Sequence, residues 1–206
     1  MLELLVLGPV RLQRAGQPVH LAVRKSQALL LYLALQGSTR RAALCALLWP
    51  ELPETMARRN LRRELARLRE GGLHDALRTD GDRLAVADSL HVDLTQAEAA
   101  LARQAPDEAL ARWPGPLADG LAMDDAPAFD EWLASARQRV AGLHQRALQT
   151  SAAWHEACGD FSTALARVQA LLQGDSLQES HHREENMGSG LNTVSSAKER
   201  ASNAGR

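Results

Sequence analysis

TMARRNLRRELARLR, residues 55–69, is where the sequence speaks most plainly. On a helical wheel of about 100° per residue, Ala57, Leu61, Leu65 and Leu68 share one face. Arg59, Arg63, Ala66 and Glu70 lie opposite, with Asn60, Arg62 and Arg67 on the flanks. Residues 56–69 hold six arginines (Arg58, Arg59, Arg62, Arg63, Arg67 and Arg69) against one acid, Glu64. The segment therefore reads as a helix with an apolar back and a cationic front. The bland reading is a solvated face laced with salt bridges. Acidic residues four positions away are nearly absent, so intrahelical pairing is not expected to satisfy these arginines.

Outward from this helix, the order of elements is informative. Arg24 to Gln36 carries Ala28, Leu29, Leu31, Tyr32, Leu33 and Leu35, a largely buried helix with Gly37 placed to end it. Ser38 or Thr39 is suited to cap a short helix bearing Ala43, Leu44, Leu47 and Leu48, which Trp49-Pro50 terminates. Gly71-Gly72 stops the arginine-rich helix. Leu77–Thr79 and Arg83–Val86 then flank Asp80-Gly81-Asp82, a hairpin signal. Short strands are expected at 2–7, 10–14 and 18–21. Strands, three helices and a hairpin within residues 1–92 make the order of a winged helix-turn-helix, an α+β domain.

From Asp93 the pattern is helical. Helices are expected at 94–103 and 106–112, then a break at Pro114-Gly115-Pro116. A long helix follows from Asp124–Pro127 to Gly159, and Asp160 caps another with Phe161, Leu165, Val168 and Leu172. Such helix pairs suggest an all-α, tetratricopeptide-like stack over residues 93–183. Residues 184–206 are rich in Ser, Asn, Gly, Lys and Glu, and read as a disordered tail.

The cationic helix has the chemistry of a double-stranded DNA reader. A major groove admits a helix, and arginine pairs two donors with a guanine edge or a phosphate. The expected groove-facing set is Arg59, Asn60, Arg62, Arg63 and Ala66, the last against a thymine methyl. Arg24, Lys25, Arg40 and Arg41 lie near the starts of the first two helices, placed to clamp phosphate. Arg67, and Arg78 and Arg83 beside the hairpin tip, complete the expected phosphate set.

The order Leu7-Gly8-Pro9-Val10, Arg24-Lys25…Ala28-Leu29-Leu30…Leu33-Ala34-Leu35, Leu47-Leu48-Trp49-Pro50 and Asn60-Leu61-Arg62…Leu65…Leu68-Arg69 resembles the Streptomyces antibiotic regulatory protein family. So do Val92-Asp93-Leu94, Gly115-Pro116-Leu117…Gly120-Leu121, Ala126-Pro127-Ala128-Phe129-Asp130-Glu131-Trp132-Leu133 and Gly159-Asp160-Phe161…Ala164-Leu165. Those proteins join an OmpR-type winged helix to a bacterial transcriptional activation domain. The resemblance implies a transcription activator in which residues 55–69 form the recognition helix and the hairpin forms the wing. It also implies that the helical part contacts RNA polymerase or a second protomer, giving a homodimer on DNA. Two departures stand out. The wing tip, Asp80-Gly81-Asp82, offers acids where the family offers a cation. After Glu184 the family pattern stops, so the helical domain reads as partial.

Composition narrows the alternatives. The net charge of −1 divides into +4 over residues 1–93 (14 Lys and Arg, 10 Asp and Glu) and −5 over 94–206 (10 against 15). Different partners for the two halves are expected. No apolar run reaches the ~18 residues of a membrane span, the amino terminus lacks a basic flank, and Cys45 and Cys158 show no metal or disulfide spacing. The expected location is therefore cytoplasmic. No phosphate-binding glycine loop, dinucleotide fingerprint or nucleophile elbow occurs, so neither an enzyme nor a cofactor is expected. Cys45, Trp113 and Trp132 read as core residues. His181-His182 with Glu184 and Glu185 reads as a polar helix end rather than a metal site. Asp124, Asp125, Asp130 and Glu131 read as an exposed first turn of a helix. Rival readings are a protein-interaction scaffold whose arginines serve acidic partners, and a DNA-bound repressor or dominant-negative fragment.

Overall fold

The computed structural model describes residues 1–21 and 23–174. The chain divides into two compact units, Met1–Ala147 and Leu148–Arg206. The strands are β1 (Leu2–Leu5), β2 (Arg11–Arg14), β3 (Gln17–Val19), β4 (Thr39–Arg40), β5 (Leu77–Asp80), β6 (Arg83–Val86) and β7 (Leu90–Val92). The helices are α1 (Arg24–Gln36), α2 (Arg41–Leu48), α3 (Glu54–Leu68), α4 (Asp93–Ala102), α5 (Pro106–Leu110), α6 (Pro127–Ala157) and α7 (161–174). Together they make an α+β winged helix-turn-helix followed by an all-α region.

Two small sheets frame helices α1, α2 and α3. One has the order β3-β2-β1-β7, the other β4-β6-β5. Strand β1 runs antiparallel to β2, with Leu4 opposite Leu12, and parallel to β7, with Leu4 opposite Val92. Side chains alternate along a strand, so Leu2, Leu4, Leu12, Leu90 and Val92 all bury toward one core. That core is continuous from Leu2 to Val140 and takes in Ala28–Leu31 and Leu33 of α1.

Gly37 ends α1 at φ 73°, its N–H donating to the Leu33 carbonyl at 3.0 Å. A left-handed residue without a Cβ is what that turn requires. The short helix that follows departs from expectation at its start. Neither Ser38 nor Thr39 caps α2: Arg40 precedes it, and no side chain bonds the free amides. Thr39 instead lies in β4 opposite Leu84, and its hydroxyl donates to the Gly37 carbonyl at 3.1 Å. The wing is thus three-stranded, because β4 supplies the third edge. Helix α3 ends at Leu68 and passes into a π-turn over Arg69–Leu73, with Gly72 at φ 77°.

Asp93 joins the start and the end of the winged helix. It is 8% exposed, and its carboxylate accepts the Val6 N–H at 2.9 and 3.0 Å, Leu7 N–H at 3.0 Å and Leu94 N–H at 2.8 Å. Past β1 the chain also pairs with 116–119: Gly8 N–H donates to Pro116 and Ala118 N–H to Val6, both at 2.8 Å. Arg137 on α6 holds the next turn, its guanidinium donating to the carbonyls of Leu117, Ala118 and Leu121. Trp113 stacks on His144 at 4.9 Å, and Trp132 meets Tyr32 at 4.6 Å and Phe129 at 5.3 Å, all packed on the core.

In the second unit, α7 opens on Asp160, whose carboxylate accepts Thr163 N–H at 3.2 Å and faces His155 Nδ1 at 3.0 Å. Gly159 turns the chain at φ 80°. The expected tail at 184–206 and the His181-His182 pair lie outside the described residues.

Burial raises the Asp93 pKa more than its backbone amide donors lower it. Replacing it by alanine strands three buried N–H groups, and Asp93→Ala should cost about 3 kcal/mol or more in urea melts. The folded state binds the Asp93 proton more tightly than the unfolded chain does. The wild-type advantage over Asp93→Ala is therefore full on the acid side and shrinks as pH rises from about 4 through the raised pKa. A difference that grows with pH would contradict this account.

Candidate nucleic-acid interface

Helix α3 seats its apolar back as its periodicity requires. Ala57, Leu61, Leu65 and Leu68 are all buried. Each leucine removed from water contributes roughly 1.5–3 kcal/mol, which fixes the roll of the helix. The same roll buries Glu64, only 3% exposed. Its carboxylate accepts the Ser26 hydroxyl of α1 at 2.9 Å and pairs with Arg67 at 2.6 Å. The single acid within 56–69 is a polar tie inside the helix packing.

Opposite the core, Arg58, Arg59, Arg62, Arg63, Arg67 and Arg69 are exposed, while Asn60 and Ala66 are half-buried. Arg63 donates to Asn60 Oδ1 at 3.1 Å, so two residues of the expected base-reading set are already oriented by each other. The expectation that intrahelical partners are lacking needs correction at two arginines. Helix α3 begins at Glu54, one residue earlier than the periodicity placed it, and Glu54 pairs with Arg58 at 2.7 Å. Arg67, expected on phosphate, is held by Glu64. Among the described residues, no side-chain hydrogen bond or ion pair engages Arg59, Arg62 or Arg69.

The flanking cations fall into distinct settings. Arg40 is exposed and Arg41 half-buried; Arg41 N–H donates to the Asp82 carbonyl at 2.9 Å, which ties the start of α2 to the wing tip. Arg83 sits opposite Arg40 in the β4–β6 pair, its guanidinium on the hydroxyl and carbonyl of Ser38. Arg78 is exposed, 3.5 Å from Asp88. Arg24 is exposed, its one described hydrogen bond a 3.5 Å reach to the Ala122 carbonyl. Lys25 differs. Its side chain is 12% exposed, and Nζ binds the Leu48 carbonyl and Asp125 at 2.8 Å, above the Trp49 ring. An ammonium so occupied is tied to the scaffold, and it can reach phosphate only by leaving these partners.

Asp80, Gly81 and Asp82 at the wing tip are all exposed. Glu54 by hydrogen bond, and Asp82 more weakly by charge, favour the charged form of Arg58. The acids at the start of α6 are not a free helix turn: Asp125 pairs with Lys25, and Asp130 accepts the Met123 N–H at 3.0 and 3.1 Å. Cys45 is buried in the core, which pushes its thiol pKa up. Among the described residues, no three His, Cys, Asp or Glu side chains gather to hold a metal. No helix of the described residues is long and apolar enough to cross a membrane.

No family model matches the sequence, and neither does any curated protein. A similar solved structure is Mycobacterium tuberculosis EmbR in complex with a low-affinity phosphopeptide, 23% identical with a TM-score of 0.59. The match covers 82% of this chain and 49% of that one, so the chain spans about half the length of EmbR in that structure. The likeness is one of fold: strands, three helices and wing, then a helical region.

Glu64→Ala should lower stability by about 1–3 kcal/mol, because it leaves the Ser26 hydroxyl buried without a partner. The double change Ser26→Ala with Glu64→Leu removes both polar groups and should recover most of that loss. Chemical denaturation of the three proteins tests the pair, and equal losses in single and double variants would show that the tie is not what matters.

Proposed function

We propose that this chain is a sequence-specific, double-stranded DNA-binding transcription regulator that works as an activator, and that it is not an enzyme. Residues 1–92 are its DNA-binding domain, and α3 enters the major groove. Arg59, Asn60, Arg62, Arg63 and Ala66 read base edges. Arg24, Arg40, Arg41, Arg78 and Arg83 position the phosphate backbone, joined by Arg67 where a phosphate draws it from Glu64. The helical residues 93–183, a partial tetratricopeptide-like domain, contact RNA polymerase or a second protomer bound to the same DNA.

The observation that carries this reading is the face of α3 opposite its leucines. Arg59 and Arg62 are exposed with no described intramolecular partner, and Arg63 is held ready by Asn60. Cations kept in this state on a rigid, well-seated helix suit an anionic partner of regular shape. The order of elements agrees, since a winged helix-turn-helix presents its third helix to a groove.

Binding of a random duplex measured against salt is the first test. About five phosphate contacts predict a log–log slope near −4.5. Absence of duplex binding at low salt would hand the arginines to acidic protein partners instead. Selection from a random DNA pool then supplies a cognate site. On that site Arg59→Ala and Arg63→Ala should each cost about 1–3 kcal/mol, with a smaller loss on random DNA. Arg40→Ala should weaken both alike. At the wing, Asp80→Asn with Asp82→Asn should tighten binding to random duplex by about threefold to tenfold at low salt, and the gain should fade as salt screens it. An unchanged affinity would place the wing tip away from the phosphates.

A further inference from the structure

The side chains on the outer side of α3 offer hydrogen bonds of one kind. Arg59, Arg62 and Arg63 are exposed, and a guanidinium carries donors alone. Asn60 carries a donor and an acceptor, and Arg63 settles which end is left. A guanidinium has nothing to accept with, so the amide atom that meets Arg63 Nη2 at 3.1 Å is the acceptor Oδ1. With Oδ1 engaged along the helix, the Nδ2 amine is the end of Asn60 left to a ligand. The acids of the segment do not offset this. Glu64 is 3% exposed and bound to Ser26 and Arg67. Glu54 pairs with Arg58 and, at about 100° per residue, shares the sector of Leu61 and Leu65. Glu70 is exposed but lies past Leu68, the end of α3, whereas recognition helices set their amino-terminal residues on base edges. The Thr55 hydroxyl donates or accepts alike and favours no edge.

We infer that this face is a donor-only reader that selects guanine, and that Asn60 works beside Arg63 on guanine rather than on adenine. The inference rests on the DNA-binding reading proposed above and names the base class that reading takes. In the major groove guanine presents two acceptors, N7 and O6, and no donor. Adenine presents N7 beside the N6 amine, cytosine its N4 amine, and thymine O4 beside a methyl group. The two-bond pairing of asparagine with adenine needs the amide to accept from N6 while it donates to N7. In Asn60 the accepting end is already turned to Arg63. An N6 or N4 amine facing the helix therefore meets donors, and a buried donor left without an acceptor costs binding. Ala66 adds neither donor nor acceptor. The strand that α3 contacts is guanine-rich, and the base opposite Asn60 is not adenine.

The test uses the full chain and the duplex that selection from a random pool supplies, read by fluorescence anisotropy. Each guanine in turn is replaced by 7-deazaguanine, which lacks the N7 acceptor, or by inosine, which keeps N7 and O6 and loses the minor-groove amine. Each adenine is replaced by 7-deazaadenine. The deaza base should weaken binding by about tenfold at two or more guanines, and inosine at those positions by less than about twofold. Asn60→Ala should erase the penalty at one of these guanines, and Arg63→Ala at the same guanine or its neighbour. Circular dichroism should be unchanged in both variants, and the modified bases test the wild-type chain without any substitution. An adenine whose deaza replacement weakens the wild-type chain about tenfold but leaves Asn60→Ala unaffected overturns the inference, because Asn60 then reads adenine. So does a pool that yields no preferred site, a site in which no guanine N7 matters, or guanine penalties that Asn60→Ala leaves intact. In each of these cases the chain still binds duplex and the DNA reading stands. A chain that binds no duplex at all removes that reading, and the inference with it.

Discussion

One buried carboxylate settles which way α3 faces. Glu64 lies on the side of the helix that carries Leu61, Leu65 and Leu68, all within the core. A carboxylate removed from water costs several kcal/mol unless it is hydrogen-bonded or paired. Here Ser26 and Arg67 offset that cost. The two partners are set at a fixed angle: one stands on α1, the other three residues along α3 on the solvent flank. Rolling α3 by one residue would tear the carboxylate from Ser26 and lift leucines into water together. The leucines supply the energy of seating and the Glu64 tie supplies its register. The outward direction of Arg59, Arg62 and Arg63 follows from both.

Asp93 does a comparable job at longer range. Its carboxylate draws three amides from residues 6, 7 and 94 to one point. The first strand of the chain is thereby fixed to the end of the winged helix. Strand β7, three residues long, is then held parallel to β1. A strand so short makes few ladder bonds of its own, and the side-chain staple compensates. With Gly8 bonded to Pro116 and Ala118 to Val6, the core of the first unit continues past residue 92 without a break. The helical segments that begin at α4 share the core of the sheets.

Much of this was legible in the sequence because it depends on periodicity and turn chemistry. The apolar rows of α1 and α3, the left-handed Gly37 and the Asp80-Gly81-Asp82 hairpin are local statements, and local physics writes them. Strands β4 and β7 were not legible. Two or three residues carry no period, and their partners lie about 44 and 88 positions away. The pairing of Arg58 was hidden by a single residue: with the helix started at Thr55, Glu54 is a loop residue; started at Glu54, it is the i,i+4 partner. The pairing of Lys25 with Asp125 is not legible either. Each looks like a surface charge in sequence, and only the packing of Asp125 against the start of α1 turns them into a pair.

These displacements leave the charged face with a polarity that a count of arginines conceals. At the amino-terminal end of α3 Glu54 pairs with Arg58, and the exposed wing tip adds Asp80 and Asp82. Farther along lie Arg59, Arg62, Arg63 and Arg69, with no carboxylate paired to them among the described residues. A polyanion approaching this surface meets repulsion at one end and attraction along the rest, within the ~10 Å reach of charges at moderate salt. On the proposed DNA reading, a duplex laid across the acidic end would forfeit part of its electrostatic gain. That is the way like-charge juxtaposition generally contributes to specificity.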